Sequence, residues 1–400
     1  MRPINKPSTR RITHRPRLLT LAVASCFALA SPAWSLPGGA QVVAGQASIS
    51  QNGNSLNIVN SPGAIINWAN FSVGALESVR FQQQSALSSV LNRVTGTEST
   101  ALYGALSSNG RVWLINPNGI LFGGSAQVDV HGLIASTLNI SDSDFLAGRI
   151  NLTAGPLAGR ISNQGTLQGT GGHIYLVAPD IENSGLIRAP GGEVLLAAGR
   201  QVSLVDNAHP DIQMVVSAPG DKAVNLGEIV AQNGRVSLFG AILQQKGRIS
   251  ADSVEVDDHG RIVFRGSQKV ELAAGSVTSA SGLAGGDISI RNDGDSSVSG
   301  TVTATGSQGK GGTVEVLGHR VAVLDKAVID ASGDSGGGRI RVGGDYQGKN
   351  PDVPNSQITY FGSEATLTAN AQKLGDGGTV IVWANAVSYT HLTLPTIYSV

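Results

Sequence analysis

Cysteine is nearly absent from this 400-residue chain, whose one cysteine, Cys26, lies in the N-terminal segment. The chain beyond that segment therefore has no disulfide bonds and no thiolate metal ligands. Aromatic residues amount to 4% and charged residues to 14% of the chain, whereas glycine occurs 53 times. This composition excludes a disulfide scaffold and is typical of a protein rich in strands and turns.

A basic excess is also lacking, because 28 basic residues balance 28 acidic ones. Six of the basic residues lie within the first 17 positions, so the rest of the chain carries a net charge of about −6. A nucleic-acid partner needs a basic face, and we therefore expect none. No run of about 18 apolar residues occurs either, so we expect no membrane-spanning helix in the mature chain.

The first 35 residues have the pattern of a signal peptide. Basic residues precede an apolar stretch from Leu18 to about Ala30. The small residues Ala33 and Ser35 then form a small-x-small cleavage site. We therefore predict that this segment directs the chain to the Sec translocon and is removed there.

Glycine followed by aliphatic or phenylalanine residues at alternate positions forms a recurring pentapeptide. It begins at Gly172, Gly192, Gly234, Gly260, Gly286, Gly312, Gly338 and Gly378. The successive spacings are 20, 42, 26, 26, 26, 26 and 40 residues, and we interpret the two long ones as two coils each. A period of this size predicts a solenoid, and alternation at period two predicts short strands with their aliphatic residues inward. Together they predict a parallel β-helix.

The most distinctive segment is residues 112–123, in which two apolar arms flank Asn116-Pro117-Asn118-Gly119. Asparagine first, proline second and glycine fourth is the signature of a type I turn. Pro117 fixes its own φ, and Gly119 is free to adopt a positive φ. The segment therefore predicts a rigid turn held between two apolar strands.

With Ile120, this turn resembles the Asn-Pro-Asn-Gly-Ile motif in the secretion domain of filamentous haemagglutinin-type exoproteins, the passengers of two-partner secretion. Further similar segments are Ile66-Asn67-Trp68, Phe71-Ser72-Val73-Gly74, Leu91-Asn92-Arg93-Val94-Thr95-Gly96 and Gly132-Leu133-Ile134-Ala135-Ser136-Thr137-Leu138. The resemblance covers about residues 40–145 and continues more loosely to about 386. Some members carry an upstream Asn-Pro-Asn-Leu motif, which residues 82–87 replace here.

The resemblance and the repeats together imply an all-β fold. We expect a right-handed parallel β-helix (solenoid) with an N-terminal cap and small extra-helical β-hairpins. The predicted domains are a signal peptide over residues 1–35 and a two-partner secretion (haemagglutination activity) domain over 36–275, which holds the cap and the first coils. A β-helical shaft follows over 276–387. Residues 388–400 break the repeat pattern, and we interpret them as a non-native tail on a fragment of a longer protein.

The resemblance also implies a function. The chain is expected to be a secreted, non-enzymatic adhesin of a Gram-negative bacterium, associated with the cell surface and needing no cofactor. Its expected partners are the Sec translocon, a TpsB-type (Omp85) outer-membrane β-barrel with periplasmic POTRA domains, and host or surface carbohydrate or protein receptors. The expected transporter-recognition residues are Asn116, Pro117, Asn118, Gly119, Ile120, Asn92, Asn67 and Trp68. The alternative for the turn is a purely structural role, and β-augmentation by the transporter is a further possible mode of recognition.

Two other functions remain open from the sequence, namely a β-helical polysaccharide lyase or hydrolase and a contact-dependent toxin passenger. The segment Gly333-Asp334-Ser335-Gly336-Gly337 matches a serine-nucleophile signature, but no strand–elbow–helix context surrounds it, so we predict a β-helix corner. The acidic cluster of Asp252, Glu255, Asp257 and Asp258 is predicted to be a solvated turn. The histidines beyond the leader and before the tail lack metal-ligand spacing, and they are His131, His173, His209, His259 and His319.

Overall fold

The computed structural model describes residues 36–204, 212–254 and 260–390. The predicted signal peptide, with Ala33 and Ser35, lies outside the described residues, as do His209, His259 and most of the acidic cluster. Within the described ranges, no helix has the length and apolar character needed to cross a membrane.

The described chain is built from strands. The first twelve are β1 (Gln41–Ala44), β2 (Ala47–Asn52), β3 (Ser55–Asn60), β4 (Ala64–Trp68), β5 (Ser78–Gln82), β6 (Ser89–Val94), β7 (Thr100–Leu102), β8 (Ala105–Ile115), β9 (Ile120–Phe122), β10 (Gln127–Ser136), β11 (Ile150–Thr153) and β12 (Ile161–Asn163). The next twelve are β13 (Thr166–Gly169), β14 (Ile174–Ala178), β15 (Asp180–Asn183), β16 (Leu186–Arg188), β17 (Glu193–Ala198), β18 (Gln201–Leu204), β19 (Ile212–Val216), β20 (Lys222–Asn225), β21 (Glu228–Val230), β22 (Arg235–Gln245), β23 (Arg248–Ser250) and β24 (Arg261–Leu272). The last are β25 (Val277–Ser279), β26 (Asp287–Asn292), β27 (Asp295–Val298), β28 (Thr301–Thr303), β29 (Thr313–Leu317), β30 (Arg320–Val323), β31 (Val328–Asp330), β32 (Arg339–Val342), β33 (Ile358–Phe361), β34 (Thr366–Thr368), β35 (Thr379–Val382) and β36 (Val387–Thr390). A helix, α1 (Asp142–Leu146), and a 3₁₀ turn (Tyr346–Gly348) complete the elements.

Parallel pairing between successive coils confirms the predicted parallel β-helix, which has three faces. The first face stacks β3, β5, β8, β10, β13, β16, β21, β23, β25, β28, β31 and β34. The second face stacks β4, β6, β8, β10, β14, β17, β22, β24, β26, β29, β32 and β35. The third face stacks β7, β9, β12, β15, β20, β22, β24, β27, β30, β33 and β36. The long strands β8, β10, β22 and β24 pass around a corner and serve two faces.

The interpretation of the two long spacings as two coils each is wrong. Val194 of β17 pairs directly with Val236 of β22, so the 42-residue interval is one coil with an insertion that carries β18 and β19. Ile340 of β32 likewise pairs directly with Val380 of β35. The error arose because intervals of 42 and 40 residues are close to twice the 20-residue spacing, and only strand pairing shows that each holds one coil.

Glycine begins the strands of the second face because successive backbones approach closely there. A Cβ on Gly192 would lie 2.0 Å from the carbonyl oxygen of Gly172, and one on Gly234 would lie 2.1 Å from that of Gly192. The same contact recurs from Gly286 onward. The glycine of the recurring pentapeptide therefore marks the corner at which one coil rests on the preceding one.

The interior holds one continuous apolar core along the coils, with a ladder of buried amides at one corner. The Asn163 side-chain amide donates to Asn183 at 2.7 Å, and that of Asn183 donates to Asn225 at 2.8 Å. Asn225 continues the ladder to Gln245 at 2.7 Å. Each amide thus satisfies its neighbour in the next coil, which removes the cost of burying an unpaired polar group.

A second apolar layer covers the outside of the second face over its N-terminal coils. Trp113, Ile134 and Tyr175 project outward from the sheet and are covered by elements that leave the helix. These elements are α1, with Phe145 packed edge-on against Trp113 at a ring-centroid distance of 5.4 Å, and the antiparallel sheet β11–β18–β19. The predicted extra-helical hairpins are therefore present as this layer. Burial raises the pKa of Tyr175, whose hydroxyl bonds Glu193 at 3.1 Å.

The N-terminal end is capped by antiparallel strands, as predicted. β1 pairs with β4, and β2 pairs with β3 through a tight turn. At the other end, β36 pairs with β33, with Tyr389 beside Tyr360. Residues 388–390 therefore continue the β-helix, although the sequence placed the break at residue 388. Residues 391–400 lie outside the described chain.

Candidate functional site: an asparagine corner and an open strand edge

The segment Asn116–Gly119 forms the corner between β8 on the second face and β9 on the third. The amide of Gly119 donates to the carbonyl of Asn116 at 3.1 Å, which is the bond of the predicted turn. Gly119 has a φ of 121°, a conformation that side chains with a Cβ rarely adopt. β8 and β9 each pair with strands of adjacent coils, so the turn is a β-helix corner rather than a hairpin.

The two asparagine side chains of the corner point into the coil stack. Asn116 is fully buried, and its amide nitrogen donates to the carbonyl of Glu98 and to the hydroxyl of Thr100, each at 3.0 Å. Its side-chain oxygen accepts from the backbone and side-chain amides of Asn118, also at 3.0 Å. The Asn118 amide then reaches the carbonyl of Gly96 at 2.9 Å. The pair therefore ties this corner to the preceding one.

The following coil completes the stack. Gly159 donates to the carbonyl of Pro117 at 2.8 Å, and Ile120 donates to that of Arg160 at 3.0 Å. A Cβ on Gly159 would lie 2.6 Å from the Asn118 carbonyl, so glycine is needed for this approach. Only Pro117 and Asn118 remain partly exposed in the turn. Sequence reasoning did not anticipate Gly159, because only the fold brings it beside the turn.

The other predicted recognition residues lie mostly inside the protein. Trp68 is 1% exposed, and its indole nitrogen donates to the side-chain oxygen of Asn92 at 3.0 Å. Asn92 is fully buried and also donates to the carbonyl of Trp113 at 3.3 Å. Asn67 is partly buried, and its side-chain oxygen has no hydrogen-bond partner. Because the side chain of Asn92 is buried, it cannot touch a partner of the folded domain.

The corner between β5 and β6 lacks the Asn-Pro-Asn-Leu motif, and a glutamine side chain bonds this corner to the next coil. The Gln83 side chain is buried and donates to the hydroxyl of Ser108 at 3.1 Å and to the carbonyl of Arg111 at 3.0 Å. Its backbone exchanges two bonds of 2.8 Å with the Asn109 side chain. An amide-bonded corner therefore forms here without that motif.

The enzyme-like motifs form ordinary corners. Gly333 bridges to Gly306 and Ala371 of the adjacent coils, and Asp334 is paired with Lys373 at 2.7 Å, so the predicted corner around Ser335 is confirmed. The Asp252 carboxylate accepts from the Ser250 hydroxyl at 2.8 Å within its own turn. Among the described residues, no group of three histidine, cysteine or acidic side chains is placed to hold a metal ion.

An unpaired strand edge is the second feature that matters for binding. β2 pairs with β3 only, among the strands of the described ranges. Its residues are largely exposed, and no second strand of the described ranges pairs with its outer edge. Such an edge is a template for a strand from another chain. The sequence predicted an N-terminal cap but could not show which strand edge of it stays open.

Comparison with known proteins agrees with this architecture. Residues 33–335 match the family described as the TPS secretion domain. The crystal structure of the HMW1 secretion domain from Haemophilus influenzae is 33% identical, with a TM-score of 0.73 over 88% of each chain. The three-faced β-helix with an outer apolar layer therefore defines a two-partner secretion domain.

The chain belongs to the TPS secretion domain family and carries the secretion domain of a TpsA-type exoprotein. A heme/hemopexin-binding protein of Haemophilus influenzae strain Rd is 31% identical over 205 residues, which are 51% of this chain and 19% of that protein. A second heme/hemopexin-binding protein of Haemophilus influenzae is 36% identical over 77 residues, which are 19% of this chain and 8% of that protein. The chain thus spans about a fifth or less of the curated relatives it matches.

Proposed function

We propose that a TpsB-type outer-membrane transporter with periplasmic POTRA domains recognises this domain after export through the Sec translocon. Membership of the TPS secretion domain family is the observation that carries this proposal. The recognised feature is the open edge of β2 at the N-terminal cap. The edge offers backbone donors and acceptors to a strand of the partner, and β-augmentation uses those groups.

The asparagine corner serves folding rather than direct contact in this proposal. The side-chain amides of Asn116 and Asn118 already donate hydrogen bonds to the preceding coil, at Gly96, Glu98 and Thr100. Each coil that leaves the transporter can then lock onto the coil before it, and local coil-on-coil contacts make such stepwise folding possible. Folding outside the membrane would bias the movement of the chain outward.

Gln51→Pro tests the edge. The two-residue turn after Asn52 places Asn52 and Ser55 in a hydrogen-bonded pair, so the amide of Gln51 points to the open edge. Proline there removes an outward donor while leaving the pairing with β3. We expect secretion into the medium to fall at least about tenfold, the equivalent of about 1.4 kcal/mol of lost recognition. Secretion is measured in a Gram-negative host with and without the cognate barrel.

Gln51→Ala is the matched control, because it retains the backbone donor and should be secreted normally. Both variants should keep the far-UV circular dichroism and urea midpoint of the parent chain. Normal partner-dependent secretion of Gln51→Pro would disprove recognition through this edge. Retention of the parent chain beside a functional cognate barrel would disprove the proposed function as a whole.

For the whole exoprotein we propose a non-enzymatic, surface-associated adhesin, supported by the solenoid fold and by the β-helix corner that the described residues form around Ser335. Haem or hemopexin binding is the second candidate, because the two curated relatives are named for it. Titration of hemin into the secreted chain distinguishes them. The adhesin proposal predicts no stoichiometric change in the haem absorption band, whereas a saturable shift at one equivalent would favour the second candidate.

A further inference from the structure

The outside of the second face changes character at β22. Up to that strand most of the outward side chains are apolar and covered, and the outer layer ends at the half-buried Phe239. From β24 onward the corresponding positions are mostly polar, with Arg261, Val263 and Arg265 on β24 and Asp287, Ser289 and Arg291 on β26. The face therefore continues without the layer that covers its first coils.

This uncovered part is a groove of about 550 Å³ across four strands, β22, β24, β26 and β29. Four arginines line it, together with hydroxyl side chains. The arginines are Arg235, Arg261, Arg265 and Arg291, and the hydroxyl residues are Ser237, Ser289 and Thr313. Register places Arg265 beside Arg291 in the next coil, at the strand spacing of about 4.8 Å. Arg261 and Arg265 lie four residues apart on one strand, or about 13 Å.

The cations of the groove are only partly neutralised. Glu315 is shared by Arg291 at 3.0 Å and Arg341 at 2.6 Å, so this carboxylate is fully engaged. Asp287 lies beside Arg261 in register but forms no ion pair with it. Among the described residues, Arg261 and Arg265 have no acidic partner and are exposed. Two guanidinium groups are thus available to an anionic ligand on a chain whose overall charge beyond the leader is negative.

The floor of the groove indicates which anion fits. It is the middle of a sheet, where every strand is paired on both sides, so a peptide finds no backbone groups to bond. Recognition must come from side chains. Guanidinium groups bind carboxylates and sulfates in two-point fashion, the hydroxyls suit sugar hydroxyls, and Phe239 offers an apolar surface for a sugar ring.

We propose that this groove binds an anionic polysaccharide, carboxylated or sulfated, with Arg261 and Arg265 as its principal contacts. The site lies on the uncovered second face, whereas transporter recognition is proposed at the N-terminal edge. The two functions can therefore be lost separately.

Binding is measured with the whole chain by microscale thermophoresis against four probes at about 0.15 M salt. The probes are heparin fragments, polygalacturonate fragments, poly-glutamate and neutral dextran. The parent chain should bind at least one anionic polysaccharide and not dextran, and the affinity should weaken steeply as salt rises. The double variant Arg261→Gln/Arg265→Gln should lose about tenfold or more in affinity, because two charge-assisted contacts disappear. Asp287→Asn should strengthen binding.

Arg80→Gln/Arg188→Gln is the matched control, since it removes two exposed arginines from the first face. It should bind as the parent does, and both double variants should keep the parent's urea midpoint and its partner-dependent secretion. Absence of binding to both anionic polysaccharides would overturn the proposal. Equal losses in the two double variants would also overturn it, as would tighter binding of poly-glutamate, which would indicate an acidic peptide ligand.

Discussion

Replacement of Gly312 by alanine should lower the free energy of unfolding by about 3–5 kcal/mol, at the upper end of single substitutions. A Cβ there would lie 1.9 Å from the carbonyl oxygen of Gly286 in the preceding coil. The obstacle is the backbone of Gly285 and Gly286, so no side-chain rotation relieves it. One coil would have to move away from its neighbour, and close-packed interiors resist such a shift.

Urea denaturation followed by far-UV circular dichroism measures this effect. Gly220→Ala is the control, because nothing lies within 4 Å of its Cβ position and its φ is outside the left-handed range. That variant should stay within about 0.5 kcal/mol of the parent chain. If the midpoints of the Gly312 and Gly220 variants agree, close approach at the corner is not what requires glycine in the repeat.

Asn116→Ala should destabilise the chain by about 2–4 kcal/mol. The change removes four hydrogen bonds and leaves the Thr100 hydroxyl and the Asn118 amide without their buried partner. The neighbouring corner then loses its tie to the turn. Because the proposed secretion mechanism depends on coil-by-coil folding, we expect the amount of chain in the medium to fall together with stability.

The measurement pairs a urea midpoint with the partner-dependent secretion assay. Asn54→Ala is the control, because Asn54 is an exposed residue of the β2–β3 turn, and it should change neither quantity. The contrary result would be an Asn116→Ala chain of normal stability that is retained in the periplasm. That outcome would indicate that the main role of the turn is direct recognition by the transporter.

The predictability of the site differs from residue to residue. Asn116, Pro117 and Gly119 predict the turn from sequence because their backbone preferences do not depend on the rest of the fold. The burial of Trp68 and Asn92 could not be predicted from the sequence, since an asparagine in a polar segment is equally compatible with an exposed position. Their bond forms only when β4 and β6 stack. The interval between Gly192 and Gly234 was wrongly predicted to hold two coils. Spacing alone does not show which strands pair with each other.

The sequence by itself determined the β-helix, its glycine corners and the membership of the secretion family, because a solenoid repeats short-range contacts that leave a period in the chain. Only the tertiary structure decided where the amides point, which part of the second face is covered and which strand edge stays open. Those features depend on which residues of different coils share a row, for example Arg265 and Arg291. Register between coils follows from the length of every intervening corner, so it emerges only once the whole stack is formed.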